Sequence, residues 1–147
     1  MKSTLFASAI ALFFGVTAGV AQDTPSAAGA EVYFVNLQDG DAVTSPVTIV
    51  FGLKGMGVAP AGTEKENTGH HHLLLNRPPL GKGNEGADEL QFGLPADDHH
   101  IHFGGGQTQT TLDLPAGTHT LQLVLGDLNH VPHAAPVTSD VITITVN

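Results

Sequence analysis

Histidine is concentrated in three short stretches of this sequence, NTGHHHLLLN, DDHHIHFGGG and GTHTLQLVLGDLNHVPH, which together hold all nine histidines of the chain. Neutral imidazole is a ligand for Zn, Cu, Ni and Fe(II). His70 and His72 form one His-x-His pair, and His100 and His102 form a second. Two such pairs in one small chain indicate a transition-metal site more strongly than one pair would.

The third stretch adds His130 and His133 in the sequence HVPH, where Pro132 restricts the backbone. We predict that the two pairs meet His130 or His133 at one end of the fold, where long loops gather. The candidate metal ligands are therefore His70, His72, His100, His102, His130 and His133.

The ion predicted for this site is Cu(II) or Zn(II). The chain has no cysteine, which excludes blue-copper and thiolate zinc sites, and its two methionines are too few for a thioether-rich Cu(I) carrier. Asp97, Asp98 and Asp127 stand beside histidines and are candidate ligands or partners that fix the imidazole tautomer. Metal affinity is expected to fall as pH drops through about 6.5, the unperturbed histidine pKa.

The elements that must position these histidines are strands. Short runs of strand-forming residues bounded by turn residues, several of them with alternating apolar and polar positions, predict strands over residues 31–36, 47–53, 70–76, 100–103, 108–114, 119–127 and 141–147. About seven strands with turn signals between them predict an all-β, immunoglobulin-like antiparallel β-sandwich, with a small barrel as the alternative. Its core is predicted to include Val32, Phe34, Ile49, Phe51, Leu121, Leu123, Leu125, Ile142 and Ile144.

Strand geometry also predicts which histidines share a face. Alternate side chains of a strand point the same way, so His70 and His72 lie together while His71 points to the other side. His100 and His102 repeat this arrangement, about 7 Å apart at Cα. A histidine at the start of a strand, such as His119, is more typical of a hydrogen-bonded structural residue.

The first 21 residues have the features of a secretory signal peptide. A positive Lys2 precedes an apolar run and a small-residue cleavage site at Ala21. The predicted mature chain consists of a flexible leader over 22–30 and a single β-sandwich domain over 31–147. We expect a periplasmic or secreted protein that is not held in a membrane once the signal has been removed.

Charge and motifs narrow the function classes. The formal net charge of −9 becomes −10 when Lys2 is removed with the signal, and such a surface repels nucleic acid and anionic lipid. The sequence contains no His-Glu-x-x-His, Gly-x-Ser-x-Gly or Walker motif. Enzyme activity is therefore the less favoured interpretation and would have to come from a metal-bound water. No feature identifies a protein partner.

Four segments carry a family resemblance: FVNLQDGDAVTSPVTIVFGLKGMGVAPAG, ENTGHHHLLLN, HFGGGQTQTTLDLPAGTHTLQLVLGD and HVPHAAPV. They resemble the family called domain of unknown function 4399, whose members are exported bacterial proteins. The resemblance covers nearly the whole predicted mature chain and is weakest over residues 77–98. It implies export but no assigned activity, so the chemistry rests on the residues themselves.

Three hypotheses of different classes follow. The first is a periplasmic metal-binding protein that buffers, delivers or senses Cu(II) or Zn(II). The second is a non-catalytic accessory or adhesion β-sandwich module in which the histidines only tie loops together. The third is a small metal-dependent enzyme, a hydrolase or an oxidase. Metal content separates the first and third hypotheses from the second.

Overall fold

The computed structural model describes residues 24–147, and the predicted signal peptide lies outside them. In chain order the elements are β1 Glu31–Phe34, β2 Ala42–Val43, β3 Val47–Lys54, β4 Gly57–Val58, β5 Thr68–Leu75, α1 Gly86–Glu89, β6 His100–His102, β7 Gln109–Leu112, β8 Gly117–Gly126 and β9 Ile142–Val146. Between residues 24 and 147 there is no helix long and apolar enough to cross a membrane.

The strands form two sheets. One has the order β1-β3-β7, and the other has the order β2-β9-β8-β5-β4, with β6 also paired to β5. The long neighbours β5, β8 and β9 are antiparallel, whereas the two-residue strands β2 and β4 add parallel pairs at the margins. The predicted all-β sandwich is confirmed.

The main core lies between the two sheets and contains the residues that alternation predicted. Eight of the nine predicted core side chains are buried, and the ninth, Phe34, is half-buried against them. The prediction from alternation is correct because alternate side chains of each of these strands point towards the facing sheet. Phe103 and Val137 join this core from outside the strands.

A second layer covers the outer face of the larger sheet. Leu74 of β5 and Val124 of β8 pack there with Leu94 and Leu80 of the segment 77–98. The backbone N–H of Leu80 donates to the Gln122 side chain of β8 at 2.9 Å, which fastens this segment to the sheet. The strand β5 is consequently buried on both faces.

Leu123 offers a direct test of the sandwich core, since its side chain is fully buried at the centre of β8. Leu123→Ala is expected to lower the free energy of unfolding by roughly 2–5 kcal/mol, through lost apolar transfer and the cavity left behind. Urea unfolding followed by circular dichroism measures this loss. The matched change Val141→Ala removes an exposed side chain and is expected to cost much less. Equal costs at the two positions would contradict the observed packing.

Candidate metal centre

Strand β5 places His70 and His72 on the outer face of the larger sheet. Residues two apart on a strand face the same side, and Leu73 and Leu75 take the inner face, where they belong to the main core. His71 also faces inwards, with its ring 5.2 Å from that of Phe51. The predicted division of the three consecutive histidines between two faces agrees with this arrangement.

Strand pairing brings two more imidazoles to the outer face. Antiparallel register aligns His102 of β6 with His72, so their side chains project on the same side. On the other edge of β5, Gly126 pairs with His70, and the loop after Gly126 carries His130 over the same face. His130 has φ 67, a left-handed conformation that histidine adopts more readily than most residues.

These four side chains, His70, His72, His102 and His130, form what we call the histidine cluster. Their ring centroids lie 4.6 to 6.0 Å apart. One potential ligand atom from each ring lies within 4.8 Å of all the others. His70 and His72 are buried, and His102 and His130 are half-buried.

The closest contacts within the histidine cluster converge on one atom. His70 Nε2 lies 3.0 Å from His72 Nε2 and 3.1 Å from His130 Nδ1. Four nitrogens around a tetrahedral ion, each about 2.0–2.1 Å from it, would be about 3.3 Å apart. The two shortest separations are therefore close to those around one transition-metal ion, and all the potential ligand atoms lie within 4.8 Å of one another.

Two glycines lie directly against the histidine cluster, and their lack of a side chain provides the space that its rings fill. A Cβ on Gly126 would stand 2.8 Å from His72 Nε2 and 3.4 Å from the Cα of His130. A Cβ on Gly104 would overlap the ring of His102. Any larger residue at either position would push a cluster ring aside.

Three imidazoles of the cluster, those of His70, His72 and His102, have a lowered pKa that favours their neutral form. Burial first, and then the neighbouring His130 and His102, lower the pKa of His70 from 6.5 to about 4. Burial, followed by repulsion from His70 and the other rings, lowers the pKa of His72 to about 2. The pKa of His102 is also lowered, by burial and then by His130. Neutral imidazole is the form that binds a metal.

His100 lies outside the histidine cluster, although it shares the outer face. The register pairs it with Leu74, two residues along β5 from the His72–His102 pair, and this moves it away from His70. Its Nδ1 donates to Asp97 Oδ1 at 2.9 Å, and its Nε2 faces the side chains of Arg77 and Glu89. The hydrogen bond from the His100 side chain, with others, lowers the pKa of Asp97.

Arg77, Glu89 and Asp97 belong to the segment 77–98, which the structure folds over the outer face. Arg77 forms an ion pair with Glu89, whose side chain is buried, while that of Arg77 is largely covered. With His100, these residues form a hydrogen-bonded network that anchors the segment to β6. His100 therefore serves as an anchor for this covering segment.

The other predicted ligand outside the histidine cluster is His133. It is buried, with Nδ1 3.4 Å from the Leu125 carbonyl, and its Nε2 has no hydrogen-bond partner among the residues that the structure describes. His119 uses both ring nitrogens, towards Asn76 and the Pro115 carbonyl, as a structural histidine would. The exposed His99 contacts the Leu75 carbonyl through Nδ1 at 2.9 Å.

The acidic residues beside the histidines take different roles. Asp97 was predicted to be either a metal ligand or a partner that fixes an imidazole tautomer. Its carboxylate accepts a hydrogen bond from the imidazole of His100, which lies outside the cluster. Asp127 binds backbone N–H groups in the loop that holds His130.

The sequence did not reveal that Gly104 and Gly126 lie against the rings of the histidine cluster. The one indication in the sequence was that each of these glycines stands a few residues from a histidine.

Nitrogen-only coordination is thus the chemistry that this centre can provide. Within residues 24–147, no hydrogen-bond partner is found for the buried Nδ1 of His70, Nδ1 of His72 or Nε2 of His102. In this described part of the chain, His70 and His72 consequently lack the outer carboxylate or carbonyl that commonly orients a metal-binding histidine. Their orientation rests on packing between the strands and the covering loops.

No curated protein and no solved structure matches this chain. A family model described as "Domain of unknown function (DUF4399)" matches residues 49–147, a span that includes all four members of the histidine cluster. Since this match covers more than half of the sequence, the chain belongs to the DUF4399 family.

Proposed function

We propose that this chain is a periplasmic metal-binding protein that holds one Cu(II) or Zn(II) ion in the histidine cluster, for buffering, delivery or sensing. The observation that carries the proposal is the convergence of four imidazoles whose potential ligand atoms lie within 4.8 Å of one another. The periplasmic location rests on the predicted signal peptide.

Hydrogen bonding alone does not account for the cluster well. A neutral imidazole has one N–H and one lone pair, so each ring nitrogen is either a donor or an acceptor. His70 Nε2 faces both His72 Nε2 and His130 Nδ1. Its single N–H or single lone pair can form a well-aligned hydrogen bond with only one of these two nitrogens. A cation among these atoms would accept a lone pair from each ring at once.

The donor set favours particular ions and a particular role. Imidazole nitrogens suit Cu(II) and Zn(II), and the general order of affinities places Cu(II) above Zn(II). Catalytic zinc sites keep a position for water, whereas a protein that supplies four ligands fills a tetrahedral ion. Four histidines therefore support binding over hydrolysis or oxidation.

A structural role for the histidines remains the competing function. His100 and His119 tie segments together through hydrogen bonds, as expected of an accessory or adhesion module. Neither of these residues belongs to the histidine cluster. The two functions differ in one measurable property, which is tight metal binding by the folded protein.

Titration of tag-free protein with Cu(II) and with Zn(II) by calorimetry tests this proposal. We expect one ion per chain, with Cu(II) bound more tightly than Zn(II). A metal concentration 100 times Kd should stabilise the fold by about 2.7 kcal/mol, visible as a higher Tm. Mg(II), which prefers oxygen ligands, is the negative control. Binding no tighter than that of an isolated surface histidine would favour the structural role.

A further inference from the structure

His130 is the one member of the histidine cluster that does not lie on a strand. Its loop is closed around the side chain of Asp127, which is only 2% exposed. Asp127 Oδ1 accepts hydrogen bonds from the backbone N–H groups of Asn129, at 2.8 Å, and Val131, at 3.0 Å. These two donors flank His130 on either side, so the carboxylate fixes the backbone from which the imidazole projects.

Backbone hydrogen bonds complete this turn. The N–H of His130 donates to the Asp127 carbonyl at 3.1 Å, and the N–H of Asp127 donates to the Val131 carbonyl at 2.8 Å. From the covering segment, the N–H of Leu94 donates to the His130 carbonyl at 2.9 Å. A non-glycine residue with a left-handed backbone persists where surrounding contacts hold it, and His130 is held in this way.

The second carboxylate oxygen of Asp127 is bound by a distant part of the chain. Thr24 Oγ1 donates to Asp127 Oδ2 at 2.6 Å, and the N–H of Ala134 donates to the Thr24 carbonyl at 2.9 Å. The segment before β1 therefore packs along the loop that carries His130, where the sequence predicted a flexible leader. Both oxygens of the buried carboxylate are used in holding the loop.

We propose that Asp127, braced by Thr24, is the positioning residue that makes His130 the fourth ligand of the metal centre. This inference rests on the proposed function. The three strand histidines form a platform fixed by sheet register, whereas His130 reaches the ion only if its loop keeps this conformation. Loss of the Asp127 side chain would release His130 and leave three nitrogens and a water around the ion.

Cu(II) titration combined with electron paramagnetic resonance tests the role of Asp127. Asp127→Ala is expected to weaken Cu(II) binding by about 10- to 100-fold, the usual cost of losing a residue that supports a metal ligand. Its spectrum should change from four-nitrogen to three-nitrogen coordination and match that of His130→Asn. Asparagine suits this comparison because it tolerates the left-handed backbone and has no imidazole.

Two further variants separate positioning from general damage to the fold. Asp127→Asn keeps an oxygen for both backbone donors and an amide that can donate to Thr24, so the wild-type spectrum should return. Asp127→Ala/His130→Asn should bind Cu(II) no more weakly than His130→Asn alone. Thr24→Val, which removes only the donor to Oδ2, should shift the same spectrum to a smaller extent and is used if Asp127→Ala does not fold.

A wild-type spectrum for Asp127→Ala, or for Thr24→Val where that variant replaces it, would overturn the inference. An additional loss of affinity in the double variant would overturn it as well, because Asp127 would then act independently of His130. Failure of the wild-type protein to bind Cu(II) is a different result. It would remove the proposed function itself and would be evident before any variant was compared.

Discussion

Replacing His70 and His72 together with alanine is expected to abolish specific binding of Cu(II) and Zn(II). The change removes two of the four nitrogens in the histidine cluster, including His70 Nε2, on which the shortest contacts converge. A loss of at least about 100-fold in affinity is expected, because changes to residues that merely support a metal ligand already cost about 10- to 100-fold. Calorimetric titration of the folded variant measures this loss.

His71 supplies a matched control for this experiment. It lies between the two replaced residues on β5 and is equally buried, but it faces the main core. His71 packs against Phe51, so His71→Leu is expected to keep the fold and to leave the four imidazoles of the histidine cluster in place. Metal affinity should be retained in His71→Leu and in the exposed variant His99→Gln.

Equal metal binding by the wild type and His70→Ala/His72→Ala would contradict the assignment of the site. Binding that was lost in His71→Leu as well would show that the titration reports the integrity of β5 and not coordination. Circular dichroism of each variant is therefore recorded before titration. The expected pattern is loss in the double variant alone, with all three variants folded.

Much of the fold follows from local sequence pattern. Residues such as Ile49, Leu123 and Ile144 alternate with polar or outward-facing neighbours, and a strand with one face on the core leaves that periodicity in its sequence. The same rule correctly placed His70 and His72 on one face. Strands β2 and β4 were missed because two residues are too few to show any period.

The choice of cluster members could not be made from local pattern. Register decides it for the second pair, since β6 aligns His102 with His72 and sets His100 beside Leu74. A shift of register along β5 would have changed which of the two entered the cluster. Register depends on contacts between segments that are distant in the sequence. The pattern HIH is symmetrical about Ile101, so it does not indicate which of its two histidines enters the cluster.

The choice between His130 and His133 has a different physical origin. It depends on the left-handed backbone of His130 and on the carboxylate of Asp127, which closes the loop.

The position of the covering segment 77–98 could not be predicted from the sequence either. The sequence of β5 is a run of histidines and leucines, with no polar face that would show which side is covered. Burial of both faces explains why that strand lacks the usual alternation.

The metal-free protein is expected to lose stability as pH falls below about 6.5. The ordinary pKa of His70 and His72 is 6.5, and in the folded protein burial lowers the pKa of His70 to about 4 and that of His72 to about 2. Between pH 6.5 and 4 the unfolded chain therefore binds protons that the folded chain does not. Stability is full above pH 6.5 and declines steadily as pH falls through this window.

The size of this effect follows from the free energy of one pKa unit, about 1.4 kcal/mol. Between pH 6.5 and pH 5 each of the two histidines should lower the free energy of unfolding by up to roughly 2 kcal/mol. Urea unfolding of chelator-treated protein at several pH values measures this decrease in the free energy of unfolding. The same lowered pKa values keep His70 and His72 available to a metal below pH 6.5, so their competition with protons begins nearer pH 4.

The variant His70→Ala/His72→Ala provides the control for the pH dependence. It lacks both groups, so its free energy of unfolding should depend less on pH between 6.5 and 5 than that of the wild type. Saturating Cu(II) should raise the stability of the wild type across this window and leave the variant unchanged, since only the folded wild type offers the assembled site. An identical pH dependence in wild type and variant would mean that other groups, and not these two buried imidazoles, govern acid stability.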